Sequence, residues 1–451
     1  MRRKFCRATT FFSAFVFVFT VWMVTIRAGE PAGANLDVET LVSEGMANNF
    51  AIRAARQDEQ SAKLMVRPAG VLPDPTLKVG VEAIPVDTLS FNREPMTQKI
   101  IGVTQPLPYP GKLKLSRAVA ESDAQAAGYK ARIIENQVAF EVRKTFYEWA
   151  FAVESLRITQ ENINVMDEFT DIATSNYSVG KSAQWDVLQA QVERAKFSKQ
   201  SVSLKKEIES IKAMLAKTLG RDPLRVDGTP EVKWTPVVQL DEEELFKRAD
   251  AKNPELAYLR AGADKAENEA QLARKRRLPD FAVTLTYGMR EDVTMDGTTQ
   301  KQSDLVSAMF EIMLPLYASR KQIPAAESAR GRVLSARQML QDGRLMIHAQ
   351  IRDRVLAIRQ ADEVEKLYRT AILPQARTAI ESAVAGYRVG KLDFLSLLKS
   401  QLSLSENELD YYEVRINRET DFAALALLTG EPVAAENNNA PTGGDGGPER
   451  K

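Results

Sequence analysis

Two short and nearly identical segments contain most of the side chains whose types and spacing suggest a specific role. Residues 177–181 have the sequence Tyr-Ser-Val-Gly-Lys, and residues 387–391 have the sequence Tyr-Arg-Val-Gly-Lys. An aspartate follows each segment, at Asp186 and Asp393. These carboxylates can act electrostatically: in a narrow passage they would attract cations, and in the first turn of a helix they would interact with the positive end of its dipole. The sequence leaves both roles open.

Other kinds of site chemistry are not suggested by the composition. The chain has one histidine, His348, and one cysteine, Cys6, so it offers no spacing of metal ligands and no cysteine nucleophile outside its first residues. It contains no glycine-rich phosphate loop and no nucleophile elbow. Lys plus Arg count 61 and Asp plus Glu count 60, so no strong field attracts nucleic acid. We therefore predict no enzyme activity, no cofactor, no metal site and no nucleic-acid partner.

The two segments belong to a longer repeat. A Leu-x-x-Gln pattern follows each segment at the same distance, at 188–191 and 398–401. Upstream, Leu-Pro-Asp occurs at 72–74 and again at 278–280. The repeat is too long for a solenoid unit, which recurs about every 20–50 residues, and therefore indicates a duplicated half of one domain.

Long helices are needed to hold the two turns. Residues 111–222 contain no proline, and a helix from the start of this range to the first turn would be on the order of 100 Å long. The helical pattern resumes after each turn, so each turn joins two antiparallel helices. In the second half the pattern starts at Ala325, with a break expected at Pro374, and returns over residues 392–429. Apolar residues recur along the first long helix in one narrow stripe, formed by Ile134, Val138, Val142, Phe146, Trp149, Val153 and Leu156.

Segments with a period of two lie upstream of each long helix. Residues 281–290 and 306–314 alternate between apolar side chains and small or polar ones; residues 77–83 do the same, and 100–105 form a weaker partner. Strands of about ten alternating residues with long loops are typical of outer-membrane barrels, although a soluble β-sandwich is the alternative. Two separated hairpins cannot close a sheet, and lipid does not tolerate an open edge, so strands from other chains must complete the ring. Three chains would supply twelve strands and leave a lumen, whereas two would give a ring that side chains nearly fill.

Both ends of the chain suggest segments outside the fold. Basic residues precede an apolar run at 11–26, and the small residues at 32–34 offer a cleavage site. We predict a secretory signal peptide in residues 1–34, with an uncleaved inner-membrane anchor as the alternative. Residues 434–451 are rich in Asn, Gly and Pro, and are predicted to form a disordered tail.

In combination, these motifs resemble those of TolC-like outer-membrane efflux proteins over about residues 36–430. The resemblance rests on the paired Tyr-x-Val-Gly turns, the Leu-x-x-Gln after each, and the Pro-Asp before each strand pair. It implies a mainly α fold with transmembrane β. Duplicated long coiled-coil helical hairpins would form an α-barrel tunnel, and four strands per chain would contribute to a trimeric twelve-stranded outer-membrane β-barrel.

This implied fold divides the chain into two structural repeats joined by a linker. The expected division is a first repeat at 35–222 with strands at 75–106 and a turn at 177–181, an equatorial linker at 223–244, and a second repeat at 245–433 with strands at 280–314 and a turn at 387–391.

The resemblance also implies a function and partners. The protein would be a passive exit duct in the cell outer membrane, extending into the periplasm, built as a homotrimer in outer-membrane lipid. A periplasmic adaptor protein would connect it to an inner-membrane efflux pump. In the family the adaptor docks on the turns, whose alternative role is only to reverse the chain. The predicted adaptor-contacting residues are Val179, Gly180, Lys181, Val389, Gly390 and Lys391.

A closed gate in this family uses acidic residues just beyond the turns. Asp186 lies at the matching place in the first copy, but Ser396 and Lys399 stand where similar proteins often have aspartates in the second. We therefore predict a periplasmic gate formed by Asp186 with Tyr387 or Lys399. The alternative is that Asp186 and Asp393 only interact with helix dipoles.

Two matters stay open at this level. A periplasmic coiled-coil adaptor or scaffold protein without a pore would also have long hairpins and an export signal. The cargo is open between metal cations, drugs and secreted polypeptides, because a passive duct leaves that choice to its pump.

Overall fold

A computed structural model describes residues 35–222, 226, 228–295 and 297–431. The predicted signal peptide at 1–34 and the predicted tail at 434–451 lie outside these residues. So do positions 223–225 and 227 of the predicted linker, and positions 296, 432 and 433 of the predicted second repeat. The helices are α1 Val38–Asn48, α2 Phe50–Ala69, α3 Lys112–Ser178, α4 Gln184–Leu219, α5 Glu242–Lys252, α6 Pro254–Lys275, α7 Gln322–Leu367, α8 Leu373–Arg388 and α9 Phe394–Thr429. The strands are β1 Asn35–Leu36, β2 Thr76–Glu82, β3 Gln98–Leu107, β4 Thr229–Pro230, β5 Asp280–Met289, β6 Val293–Met295, β7 Thr298–Gln300 and β8 Leu305–Met313.

The long helices form a wall that is one helix thick. In the part nearest the sheet, the neighbours are α2 with α3, α3 with α6, and α6 with α7. In the part nearest the turns, α3 packs on α4, α8 packs on α9, and α3 also contacts α9. The helix α3 runs through both parts, because its 67 residues span about 100 Å.

The strands continue this wall in the same order. They form one antiparallel sheet in the order β2-β3-β5-β8, and each strand is adjacent in sequence to the helix at the same place in the wall. The prediction of two separated hairpins is therefore corrected, because β3 and β5 pair across nine residues, from Lys99 with Met289 to Leu107 with Phe281. Strand pairing across the repeat boundary joins the two halves into one surface.

The register gives the sheet two chemically different faces. One face is apolar except for Lys99 and Gln105, and the other carries mainly threonine, glycine and charged side chains. The apolar face is formed by Leu77, Val79, Val81, Ile101, Val103, Leu107, Phe281, Val283, Leu285, Tyr287, Met289, Val306, Ala308, Phe310 and Ile312. Most of these side chains are exposed, so the described chain leaves the apolar face uncovered.

Two details differ from the sequence predictions. The loop at 292–302 contains a small hairpin, since β6 pairs with β7. The break expected at Pro374 is a π-helical turn over Tyr368–Ile372, directly before α8. Proline has no N–H for the usual helical bond, and the wider π turn allows the helix to continue past it.

A pair of asparagine and glycine residues fixes the same corner in both halves. Asn49 caps α2 by accepting hydrogen bonds from Ala51 N and Ile52 N, and its amide donates to the carbonyl of Thr218 at 2.8 Å. Gly220 ends α4 beside it with φ +72°. The second copy is equivalent: Asn253 caps α6 and donates to Leu428 O at 2.8 Å, next to Gly430 with φ +78°.

Replacing Gly220 with alanine should destabilise the protein more than the same change at Gly180. Both glycines have φ +72°, so either replacement forces a Cβ into the left-handed region, which costs about 1–2 kcal/mol. Only at Gly220 would that Cβ also lie 2.7 Å from the carbonyl oxygen of Asn48, whereas nothing lies within 4 Å at Gly180. We expect a lower thermal unfolding temperature for Gly220→Ala, measured by circular dichroism. Equal decreases in the two variants would contradict the close-approach argument.

Candidate functional site

The two turns have the same backbone geometry. In the first, Gly180 N donates to Tyr177 O and Lys181 N donates to Asn176 O, at 2.9 and 2.8 Å. In the second, Gly390 and Lys391 donate to the carbonyls of Tyr387 and Gly386 at 3.0 and 2.9 Å. This is a Schellman ending, in which a left-handed glycine closes the helix. Gly180 and Gly390 have φ values of +72° and +74°, so glycine is favoured at both.

Both turns present exposed side chains at the end of the hairpins. Val179 is 63% exposed and Val389 is 66% exposed, and Lys181 and Lys391 are exposed beside them. A Cβ added at either glycine would meet no atom within 4 Å. Each turn is therefore free on its outer side, as an incoming protein would require.

The tyrosines of the two turns have different surroundings. Tyr177 is 48% exposed, whereas Tyr387 is 3% exposed and packs edge-on against Phe394 at 5.5 Å between ring centres. The hydroxyl of Tyr387 donates to Asp186 Oδ2 at 3.1 Å, which joins the α8/α9 hairpin to the start of α4. Burial raises the pKa of the Tyr387 phenol, and the nearby Asp186 carboxylate adds to this shift.

The structure brings together two of the three predicted gate residues. Lys399 lies on the exposed side of α9 and forms no ion pair within the part of the chain that the structure describes. Asp393 caps α9 by accepting from Ser396 N at 2.9 Å and Ser396 Oγ at 2.7 Å, which lowers the pKa of its carboxyl. Asp393 thus caps the start of α9. Asp186 lies in the first turn of α4, as the alternative expects, and it also has a partner on the other hairpin.

A buried polar contact further along the hairpins was missed from the sequence. Asn162 of α3 donates to Ser405 Oγ at 2.8 Å, and Gln401 donates to Asn162 Oδ1 at 2.9 Å. Gln401 belongs to the repeated Leu-x-x-Gln, but its counterpart Gln191 is exposed. The signal available in the sequence was an asparagine within an otherwise apolar helical stripe. The contact fixes the register of α3 against α9, because an unsatisfied buried amide is costly.

The described residues contain neither a metal-binding cluster of carboxylate, histidine or cysteine side chains nor a membrane-spanning helix. Over residues 35–431, apart from the undescribed positions, no cluster of three or more His, Cys, Asp or Glu side chains could hold a metal ion. None of the helices in these parts of the chain combines the length and apolar character that a membrane-spanning helix requires.

Comparisons with known proteins agree on one family. The family model described as outer membrane efflux protein matches residues 41–221 and 245–431. CzcC, a cobalt-zinc-cadmium resistance protein of Cupriavidus metallidurans, is 24% identical over 87% of this chain and 89% of its own length. OpmQ, a pyoverdine export outer membrane protein of Pseudomonas putida, is 21% identical over 83% of this chain and 81% of its own. The CmeC outer membrane channel of Campylobacter jejuni has the same fold, with a TM-score of 0.74, 13% identity, and coverage of 95% of this chain and 94% of CmeC.

Removing the Tyr387 hydroxyl should loosen the contact between the hairpins. Loss of one hydrogen bond to a carboxylate at a half-buried place costs about 1 kcal/mol, so we expect the opening that exposes the second turn to increase roughly fivefold. Trypsin cleavage at Arg388 and Lys391 measures this opening in Tyr387→Phe.

The matched control is Tyr177→Phe, because Tyr177 holds the same place in the other turn and is half exposed. Its cleavage rate should not change. In a double-mutant cycle, Asp186→Asn combined with Tyr387→Phe should cleave no faster than the single variants. Additive effects would show that the two side chains do not act through their mutual contact.

Proposed function

Because the chain belongs to the outer membrane efflux protein family, we propose that three copies of it form one channel and serve as the exit duct of a tripartite efflux assembly. Family membership establishes the coarser statement: the protein is an outer-membrane efflux channel, and members of this family are channels rather than enzymes. The observation that carries the finer proposal is the four-stranded sheet, with its two unlike faces and its two outer strands.

The outer strands support assembly into a closed ring. Strands β2 and β8 each have one neighbour within the described residues, which leaves backbone donors and acceptors on their other side. Lipid cannot satisfy such groups. Since the four strands alternate in direction, β8 of one copy is antiparallel to β2 of the next and can pair with it. Three copies give twelve strands and a lumen, whereas two give a ring that side chains nearly fill.

The outer helices of the wall support the same arrangement. Helix α7 lies at one edge of the wall and α2 at the other, and both expose large apolar side chains. On α7 these are Leu334, Met339, Leu345 and Met346, and on α2 they are Phe50, Leu64 and Met65. Contact between α7 of one copy and α2 of the next would bury these side chains at about 25 cal/mol per Å². The same rotation that pairs the strands brings these two helices together.

The proposed adaptor site is the pair of turns. A periplasmic adaptor hairpin would meet Val179, Gly180 and Lys181 in one turn, and Val389, Gly390 and Lys391 in the other. The exposed valines offer apolar contact and the lysines offer charge, while the glycines leave room for an approaching backbone. The adaptor would connect the channel to an inner-membrane pump.

The proposed gate is the contact between Asp186 and Tyr387. It joins the two hairpins of one chain just above the turns, where three copies of Asp186 would surround the tunnel mouth. Lys399 is proposed only as a charged residue at the same level, since it does not reach Asp186. Separation of the hairpins would break this contact and widen the mouth.

The cargo is proposed to be a small solute selected by the pump, with metal cations or drugs as candidates. The name of CzcC refers to metal resistance and that of OpmQ refers to export of pyoverdine, so relatives at similar distance serve different solutes.

An arginine at Phe310 should prevent membrane insertion, whereas an arginine at Met309 should not. The two residues are neighbours on β8 and are similarly exposed, at 62% and 60%, but they lie on opposite faces of the sheet. On the lipid face an arginine near the membrane centre costs about 2–4 kcal/mol in each of the three copies. We expect Phe310→Arg to be lost from the outer-membrane fraction and from single-channel recordings in planar bilayers, while Met309→Arg inserts and conducts.

Equal behaviour of these two variants would contradict a barrel with one lipid face. A wild-type protein that remains in the periplasmic fraction and forms no pore would instead support the scaffold alternative.

Cysteines at the turns should cross-link to the adaptor. The chain has a single cysteine, Cys6, so an added thiol can be assigned without ambiguity once Cys6 is replaced. We expect Val179→Cys and Val389→Cys to react with the adaptor when a short photoactivatable reagent is attached. The control is Val202→Cys, which is 69% exposed but lies about 27 Å along α4 from its start. Cross-linking only from the control would place the adaptor contact elsewhere.

A further inference from the structure

A wide cavity lies where the sheet meets the helices. It has a volume of about 870 Å³ and is lined by the start of α3, the end of α6 and the start of α7. Its charged lining residues are Lys112, Glu269, Arg276, Asp280, Lys321 and Arg332. Neither the turns nor the proposed gate uses this cavity.

The cavity carries more positive charge than its own carboxylates neutralise. Lys112 Nζ lies 2.8 Å from Asp280 Oδ1, and Arg332 Nε lies 3.9 Å from Glu269 Oε2. Arg276 and Lys321 are exposed, and among the described residues they form no ion pair and no side-chain hydrogen bond. Two positive charges per chain are therefore available to a ligand.

The cavity also contains a polar group without a partner. The carboxamide oxygen of Gln322, the first residue of α7, is buried and accepts no hydrogen bond in the described structure. Buried polar atoms are normally satisfied. A water molecule, or a ligand that carries a hydroxyl beside its negative charge, would supply the missing donor.

The cavity opens on the polar face of the wall. Asp280 is the first residue of β5 and lies on the same face of the sheet as Thr284 and Gly288, because every second residue of a strand shares a face. This face is opposite to that of Phe281. Lys112 reaches this same carboxylate. Tyr109 and Lys275 lie with Phe281 on the apolar side, since the rings of Tyr109 and Phe281 are 6.3 Å apart and Lys275 Nζ lies 5.8 Å from the Tyr109 ring centre. In the proposed barrel the polar face is the lumenal one.

We propose that this cavity is an anion-binding site in the channel lumen, which takes a small solute carrying carboxylate or phosphate oxygens. The inference rests on the proposed trimeric channel, in which three copies of Arg276 and Lys321 form a positive ring at the junction of barrel and tunnel. Ammonium and guanidinium groups bind such oxygens by charge-assisted hydrogen bonds. A hydrated metal cation would be repelled at this ring, so a metal would pass more readily as an anionic complex.

The test is block of the channel current by citrate in planar bilayers, using the full-length protein. We expect citrate to reduce the wild-type current, and we expect Arg276→Gln with Lys321→Gln to need at least tenfold more citrate for the same block. In a salt gradient the reversal potential of this double variant should shift toward cation preference.

The matched control is Arg274→Gln with Arg277→Gln. It removes the same number of positive charges, from residues that flank Arg276 in the sequence, but neither of these residues lines the cavity. Its citrate block should equal that of the wild type. An unchanged block in the Arg276 and Lys321 variant, or an equal loss in the control, would overturn the site while leaving the channel intact. Absence of any pore with the wild-type protein would refute the proposed function, and the site with it.

Discussion

A wall of long helices that is one helix thick can bury little of its surface within one copy, and most features of this chain follow from that constraint. Each long helix has neighbours on two sides only, so its buried side chains form a stripe, and the described residues form four separate apolar clusters instead of one core. The sheet has a similar property, with an exposed apolar face and two outer strands. Both elements leave backbone or apolar groups at their edges that one copy cannot satisfy. Association along both edges is the simplest physical solution, since strands and helices are arranged in the same order.

The two halves share their framework but differ where they touch. The corner made by Asn49 and Gly220 recurs with Asn253 and Gly430, at nearly the same distances. The turns also recur, yet only Tyr387 of the second turn is buried against the other hairpin. The two halves therefore have the same corner and turn geometry, but the contacts between the two hairpins are not equivalent.

The sequence predicted the parts of the fold that depend on local pattern. The mainly helical fold class and the outer-membrane efflux function are confirmed. They could be predicted because long proline-free helical stripes, alternating strands and paired turns are patterns of neighbouring residues. Contacts between segments far apart in the sequence could not be predicted in this way. The register of β3 with β5 joins segments of different repeats, and no local pattern reports it. The same holds for Asn162 and Ser405, which are 243 residues apart. Lys399 was proposed from its place in the sequence, but it is exposed on α9 and forms no ion pair among the described residues, and counting along the sequence does not show that.

The contacts near the middle of the molecule are stronger than those at the turns, and this difference indicates where the hairpins can move. Near the middle of the molecule Arg418 is 3% exposed, and it binds Asp362 at 2.6 Å and Thr235 O at 2.7 Å. Glu419 beside it is 2% exposed and accepts from Thr235 N and Oγ1.

Removing one partner from such a buried ionic group costs about 3–5 kcal/mol, because the remaining charge stays in a poorly solvated place. At the turns, the hairpins are joined instead by one tyrosine–carboxylate hydrogen bond and an apolar cluster of nine buried residues. Water can replace the hydrogen bond as the hairpins part, and no buried charge is left without a partner. Opening at the turns is therefore less costly than movement at the middle, and the buried network around Arg418 acts as the fixed end of the hairpins.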